Sequence, residues 1–313
     1  MTPVISTQPA ANPNVPPGVP ERYEGLEILG QGAMGVVYRA RDRDLDRVVA
    51  IKTIHPNSSA RGRDFSAIAA RLCQEAMAAA RLAHPGIVAV YAVGRVSETP
   101  YIVMEYFTGR TLAEILEAGS LPPARAVHVI LQVCRALEYA HAQGVVHRDI
   151  KTSNIMVDGG GKTKLTDFGV ARIVDKPTNE TRMLVGTPAY MSPEQARGAP
   201  ADARSDLFAA GVVLYEALTG AKAFPGEDVA TVLDEVLRVD PVPPRERNFA
   251  VSPALDTVVR RAIDKEPDGR YQDAAAFAEA LMQAAAIDDP HTAVGQEFAP
   301  RSQAVQSERE TRP

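Results

Sequence analysis

The chain has 313 residues, 45% hydrophobic and 23% charged, the balance of an ordinary soluble globular protein with length for roughly two domains of about 150 residues each. Its 2 cysteines, Cys73 and Cys134, have no partner at metal-ligand or redox spacing, which excludes a disulfide-stapled miniprotein and a cysteine zinc site and suits a reducing compartment. A net charge of -5 argues against generic nucleic-acid binding, and arginine so dominates the 34 basic residues that Lys52 is the only lysine in the first 150 positions.

Residues 1–20 carry six prolines and no charge, so they lack the basic start of a secretory signal and read as an extended, disordered tail. No run is long and apolar enough for a membrane span: residues 209–218 are short and interrupted by Glu216. The chain is therefore expected to be soluble and cytoplasmic, with structure beginning near Glu21. Leu26, Ile28, Val36, Val37 and Tyr38 flank a glycine cluster, as in two strands joined by a tight loop, and residues 48–54 predict a third strand after a charged turn. Residues 68–82 carry apolar positions at helical spacing and are stopped by His84-Pro85-Gly86. Residues 87–93 and 101–105 are β-branched runs that predict two more strands, so the first part is mostly β with one helix.

After Thr108-Gly109 the pattern turns helical, over residues 112–117 and then 124–143, with Gly144 as the stop. Three short apolar runs follow, at residues 145–146, 155–157 and 164–166, and predict small strands beside a helical body. From Ser205 onward helices are broken at Gly220, Pro225-Gly226, residues 241–244 and Glu266-Pro267, the last helix covering residues 274–286. Residues 287–313 are polar and read as a second tail; no internal repeat is visible.

Gly30-Gln31-Gly32-Ala33-Met34-Gly35 matches a G-x-G-x-x-G loop, in which missing Cβ atoms let backbone N–H groups approach phosphate oxygens. Alone, it fits a plain glycine hairpin as well as a phosphate loop. A dinucleotide site needs a helix next and an acid about 20 positions on, but Val36-Val37-Tyr38 continue as strand and Ala50-Ile51-Lys52 stands at that distance. Lys52 has apolar neighbours on both sides, so its ammonium sits in a partly dry cleft and needs an anion. Glu75, the sole acid between Asp64 and Glu98 and on the apolar stripe of the predicted helix, is a candidate partner. In His147-Arg148-Asp149-Ile150-Lys151-Thr152-Ser153-Asn154, Asp149 can accept a hydroxyl proton, Lys151 can neutralise a transferring phosphoryl group and Asn154 can ligate a metal. Asp167-Phe168-Gly169 adds a second metal-binding acid. Each polar residue alone is equally a cap or a surface charge; the ordered series is what points to phosphoryl transfer.

On these motifs, residues 23–286 resemble the eukaryotic-type (Hanks-type) serine/threonine protein kinases, nearest in character to bacterial receptor-kinase catalytic domains. The resemblance implies an α+β bilobal fold. The small antiparallel β lobe, with one key helix, would cover residues 21–104, and the hinge and larger, mainly helical lobe residues 105–286. It further implies that Gly30 to Val37 cover the ATP phosphates, that Lys52 holds the α- and β-phosphates and pairs with Glu75, and that Asn154 and Asp167 bind Mg²⁺, with Mn²⁺ as a substitute. Met104 would be the gatekeeper and Glu105 to Phe107 the hinge, with Val37, Ala50 and Met156 sandwiching adenine. Lys151, and Thr187 in Gly186-Thr187-Pro188-Ala189-Tyr190, match the serine/threonine class. Ser192-Pro193-Glu194 stands where the family has Ala-Pro-Glu, with Glu194 expected to pair with Arg270. Asp206 is expected to hold the catalytic loop, and His147 to stack with Phe168. Thr152 and Ser192 replace the common proline and alanine.

The resemblance also implies an activation segment from Asp167 to Glu194, ordered when Arg148 and Arg172 receive a phosphate, with autophosphorylation expected at Thr181 and then Thr178. Protein substrates with Ser or Thr acceptors are the expected partners, with a homodimer through the small lobe as a further one. Two other readings stay open on sequence alone. A catalytically silent interaction module would normally lack one of Lys52, Glu75, Asp149, Asn154 and Asp167, and a small-molecule phosphotransferase would not need the peptide-binding platform around Thr187 and Ser192-Pro193-Glu194.

Overall fold

The computed structural model describes residues 19–32, 35–54, 76–77, 79–96, 99–168 and 188–288. Residues 1–18 and 289–313 of the expected tails, most of the helix predicted over residues 68–82 and the middle of the expected activation segment lie outside them, while Val19 is buried in the core of the first unit. The chain forms two compact units, one drawn from Met1–Tyr106, Ala140–Asp149 and Asp167–Gly186, the other from Phe107–Tyr139, Ile150–Thr166 and Thr187–Pro313.

The first unit is built on an antiparallel sheet of strands β1 (Tyr23–Gly32), β2 (Gly35–Asp42), β3 (Arg47–Ile54), β4 (Val90–Val96) and β5 (Thr99–Glu105), in the order β1-β2-β3-β5-β4. The glycine cluster closes the β1–β2 hairpin, with Gly32 opposite Gly35. β3 is central and has apolar neighbours on both faces. Val49 and Ile51 pack with Tyr23, Tyr38, Ala40 and Val103 on one side, while Ala50 and Ile54 pack with Ala76, Val88, Ile102 and Met104 on the other. That two-sided burial explains a continuous apolar run where a half-exposed strand would alternate.

Two expectations shift here for local reasons. β4 starts at Val90 rather than at Ile87, because the Ile87 N–H is already donated to the His84 carbonyl at 3.0 Å in the Pro85-Gly86 turn. Residues 145–146 are not a strand: the Val145 N–H donates to the Ala140 carbonyl at 2.9 Å and closes the preceding helix end instead.

The second unit is mainly helical. Its elements are α1 (Leu112–Leu116), most of α2 (Pro123–Ala142), α3 (Pro193–Ala196), α4 (Ala203–Thr219), α5 (Val229–Arg238), α6 (Pro244–Arg247), α7 (Pro253–Ala262) and α8 (Ala274–Asp288). A small sheet of β6 (Arg110–Thr111), β7 (Ile155–Val157) and β8 (Thr163–Leu165) completes it. β6 is too short to leave a periodic signal, and the third apolar run pairs one residue earlier than expected because the Thr163 N–H is held by the Gln132 amide oxygen at 2.9 Å. α4 is the core element, buried from Ser205 through Leu218, which a helix achieves only when it is enclosed on every side. Asp202 caps its start, and Gly220, at φ 68°, ends it in the left-handed conformation that glycine adopts without penalty. At Gly211 a Cβ would come within 2.7 Å of Ala262 Cβ, so glycine there lets α7 approach α4. Among the described residues no helix is long and apolar enough to cross a membrane.

One ion pair ties α3 to the rest of this unit. Arg270 is fully buried and donates to both carboxylate oxygens of Glu194, each at 2.9 Å, and to the carbonyls of Asp264, Arg204 and Lys265. Burial by itself would raise the Glu194 pKa, but the hydrogen bonds from Arg270 and from Ser205 Oγ at 2.5 Å overturn it and bring the carboxyl down to about 2. Because the folded value lies below the ordinary glutamate value of about 4.3, the pair stabilises the fold fully above that pH and is lost as pH falls towards the folded value. Arg270→Met leaves Glu194 without its cation and is expected to cost on the order of 3–5 kcal/mol, read as a lowered thermal midpoint at neutral pH. Melts taken from about pH 5 down to about pH 2 should lose stability more steeply in the wild type than in Arg270→Met.

Candidate active site

In the first unit, β3 presents Lys52 between Val37 of β2 and Ile102 of β5. Lys52 Nζ donates to Asp167 Oδ2 at 2.8 Å, with 15% and 25% of the two side chains exposed. A cation this far from water needs an anion, and the structure supplies Asp167 as one. The other expected anion, Glu75, lies outside the described residues. Val37, Ala50 and Met104 share one apolar cluster, on the face of β3 that also carries Lys52. At the end of β5, the Glu105 N–H donates to the Ala89 carbonyl at 2.8 Å, and the Glu105 carboxylate accepts from the Ala89 N–H at 3.3 Å.

Asp149 and Asp167 belong to the same unit. The Asp149 N–H donates to His147 Nδ1 at 3.2 Å, which makes Nδ1 the unprotonated ring nitrogen. The fully buried His147 ring meets Phe168 at 4.4 Å between centroids, tilted by 53°, so the expected contact between them is present. Arg148 and Asp167 both adopt positive φ, 68° and 63°, a conformation that costs a non-glycine residue on the order of 1–3 kcal/mol and persists only where surrounding packing enforces it.

Gly30, Gln31 and Gly32 are the last residues of β1, so the strand runs into the glycine cluster rather than stopping before it, while Ala33 and Met34 lie outside the described residues. The glycines are not equivalent. A Cβ on Gly35, at φ 150°, would lie 1.8 Å from the Thr53 carbonyl oxygen, whereas one on Gly30 meets nothing within 4 Å. Gly35 is thus required by the β2–β3 approach, and Gly30 leaves open space over its strand.

In the second unit, the Asn154 N–H donates to the Lys151 carbonyl at 3.0 Å in a single 3₁₀ turn. The Asn154 carbonyl in turn accepts from the Thr166 N–H at 3.0 Å, which joins the turn to the β7–β8 pair carrying Met156. Phe107 lies beneath Lys164, 5.8 Å from its ammonium. Thr152 and Ser192, the two departures from the family pattern, both make bonds: Ser192 forms a capping box with Gln195 at the start of α3, and Thr152 Oγ1 lies 2.9 Å from the Tyr190 hydroxyl. Asp206 is fully buried in the first turn of α4. Arg172, Thr178, Thr181 and Thr187 lie outside the described residues. The contact between Thr152 and Tyr190, and beyond it Glu216 and Lys222, is absent from the sequence motifs. Its one sequence signal is Glu216 itself, an acid inside an otherwise apolar run.

Asn154 carries an amide oxygen and Asp167 a carboxylate, each a hard donor of the kind that divalent cations take. The family model for the protein kinase domain matches residues 23–284. The chain belongs to that family. The α+β kinase fold and the resemblance to Hanks-type bacterial serine/threonine kinases expected from the motifs are thereby shown. The domain is 42% identical over 275 residues to serine/threonine-protein kinase PknB of Mycobacterium leprae, and 44% identical over 277 residues to the protein of that name from Mycolicibacterium smegmatis. Each match covers 86% of this chain and 44% of the relative. A probable serine/threonine-protein kinase of Streptomyces coelicolor is 43% identical over 262 residues, 81% of this chain and 38% of that one. The kinase domain described here thus spans less than half the length of these curated relatives.

The steric difference between the two glycines is testable. Gly35→Ala should separate β2 from β3, lower stability on the order of 1–3 kcal/mol and weaken binding of a fluorescent ATP analogue. Gly30→Ala should leave stability within about 0.5 kcal/mol, and thermal melts of the two variants compare them directly.

Proposed function

We propose that this kinase domain transfers the γ-phosphoryl group of ATP to serine or threonine hydroxyls of proteins. The observation that carries the reading is the 2.8 Å contact between Lys52 and Asp167, in the unit that also holds Asp149 against the buried His147–Phe168 pair. It sets an ammonium beside a carboxylate, a pairing that supports phosphate binding by the one and metal binding by the other. The relatives' names and the order of the motifs support the same reading.

In this mechanism Gly30 to Gly35 admit the phosphates, Lys52 neutralises them, and Val37, Ala50 and Met104 receive the adenine with Met156, next to backbone groups of Glu105 to Phe107. Asp149 orients the acceptor hydroxyl and takes its proton late in the transfer, while Lys151 offsets charge on the moving group. Asn154 and Asp167 would hold Mg²⁺, which supplies charge neutralisation on the β- and γ-phosphate oxygens. By the family pattern Glu75 would orient Lys52, and Thr187 would act with Asp149 and Lys151. Phosphate on Thr181, or secondarily Thr178, would draw in Arg148 and Arg172. The lobe boundaries proposed from the motifs are residues 21–104 and 105–286, and the proposed location is the cytoplasm, which fits the free, buried thiol of Cys134.

Transfer of ³²P from ATP to a generic basic protein, with Mg²⁺ present, checks the proposal. Asp149→Asn should reduce turnover by about 10²- to 10⁴-fold, the usual worth of a positioned base. Lys52→Arg should do likewise with an unchanged melting midpoint, since a guanidinium fork is too broad for the ammonium's place. A wild type as inactive as Asp149→Asn sinks the reading. Phosphopeptide mapping after incubation with ATP should find Thr181 first, and full activity with Thr181 and Thr178 unmodified removes that part.

A further inference from the structure

Four polar side chains of the helical unit meet at the phenol of Tyr190. Tyr190 Oη donates to Glu216 Oε2 at 2.5 Å, and Lys222 Nζ donates to the same phenol oxygen and to Glu216 Oε1 at 2.7 Å. Thr152 Oγ1 is the third partner, at 2.9 Å. With its only proton committed to Glu216, the phenol can only accept from Thr152, so the threonine hydroxyl is the donor. Tyr190 thereby uses one donor and both acceptor positions, and the carboxylate has a partner on each oxygen.

Burial makes this arrangement hard to exchange for water. Thr152 and Tyr190 are 4% and 5% exposed, and a buried hydroxyl that loses its partner costs on the order of 1–3 kcal/mol. Burial, and then the neighbouring carboxylate, raise the Tyr190 pKa, so the phenol stays protonated and keeps donating. Lys222 is less enclosed; burial would lower its pKa, but the bonds to Glu216 and Tyr190 overturn that and hold it charged. The ammonium and the carboxylate therefore cancel, and the cluster carries no net charge into the interior.

Thr152 opens the turn whose Asn154 N–H returns to the Lys151 carbonyl. A single 3₁₀ turn holds its shape weakly, and threonine, unlike proline, does not lock its own φ. Its side chain adds a second tether to the backbone bond that the Asn154 carbonyl accepts from the Thr166 N–H. Removing Lys222 takes one bond from the phenol and one from Glu216, so the phenol that accepts from Thr152 is left held by Glu216 alone, beside a buried carboxylate whose charge the cluster no longer cancels.

We propose that Tyr190, Glu216 and Lys222 are positioning residues that act through the Thr152 hydroxyl to fix the Lys151–Asn154 turn for phosphoryl transfer. The proposal rests on the kinase reading above for its catalytic half, while its structural half stands on the tether alone. Hydrogen–deuterium exchange of the peptide covering residues 150–156, with steady-state kinetics on a peptide substrate, tests both in wild type, Thr152→Val, Thr152→Ser and Lys222→Met. Thr152→Val and Lys222→Met should each speed exchange in this peptide about tenfold and lower kcat about tenfold, with KM for ATP within about twofold. Thr152→Ser, which keeps the hydroxyl, should stay near wild type in both. The double variant should be no worse than Thr152→Val alone, because both changes cut one connection.

Unchanged exchange in Lys222→Met, or losses that simply add in the double variant, overturns the proposal. Should Thr152→Val fail to fold by circular dichroism, Lys222→Met and Thr152→Ser decide it between them. A wild type without transferase activity, whose exchange still responds to Lys222→Met, retains the tether and rejects the kinase reading alone.

Discussion

Lys52 and Asp167 lie 115 positions apart and share one hydrogen bond, and the organisation of the first unit follows from the need to make it. An ammonium on a central strand, with only 15% of its side chain exposed, is destabilising unless a carboxylate reaches it. Reaching it brings Asp167 into the sheet unit with Phe168, and Phe168 in turn covers the buried ring of His147, whose Nδ1 holds the Asp149 amide. The positive φ of Asp167 and of Arg148 is the backbone strain that this packing sustains. Arginine serves most other cationic positions in the chain, so lysine at 52 marks a place where a slim, strongly hydrated point charge is wanted rather than a planar fork.

The helical unit meets a different constraint, the burial of polar groups inside an apolar body. α4 carries Ser205, Asp206 and Glu216 along a length that is buried throughout, and the partners of two of these are supplied by the segment after residue 187. Ser205 bonds Glu194, which Arg270 grips with both arms; Glu216 bonds Tyr190, which Thr152 and Lys222 share. Both clusters join the segment carrying Tyr190 and Glu194 to α4, and through Thr152 one of them also joins the Lys151–Asn154 turn. A charge such as Glu194 is stable there only because Arg270 answers it on both oxygens, with carbonyls satisfying the remaining guanidinium donors.

Much of this was legible along the chain. The buried β3 strand, the hairpin round the glycines, the long helices and their stops at Gly144 and Gly220 follow from periodicity and glycine chemistry, and they are found within a residue or two of where those signals place them. The departures have local causes. Ile87 spends its N–H in a turn, Val145 closes a helix, and β6 is only two residues long, so none of them leaves a pattern that hydrophobicity alone distinguishes from strand or loop. Ser192 and Thr152 look like neutral substitutions in a motif, yet one caps a helix and the other tethers a turn.

By itself the sequence determined the family, the residue types of the glycine-rich hairpin and of the His147–Asn154 motif, and most of the strands and helices, because these rest on short-range spacing and backbone chemistry. Only the tertiary structure decided that Asp167 answers Lys52, that Gly35 rather than Gly30 is sterically obligatory, and that Tyr190 gathers Thr152, Glu216 and Lys222. The physical reason is common to all three. Each depends on a buried polar or steric contact between segments distant along the chain, and the demand for a partner is written in one residue while the partner is chosen by the fold.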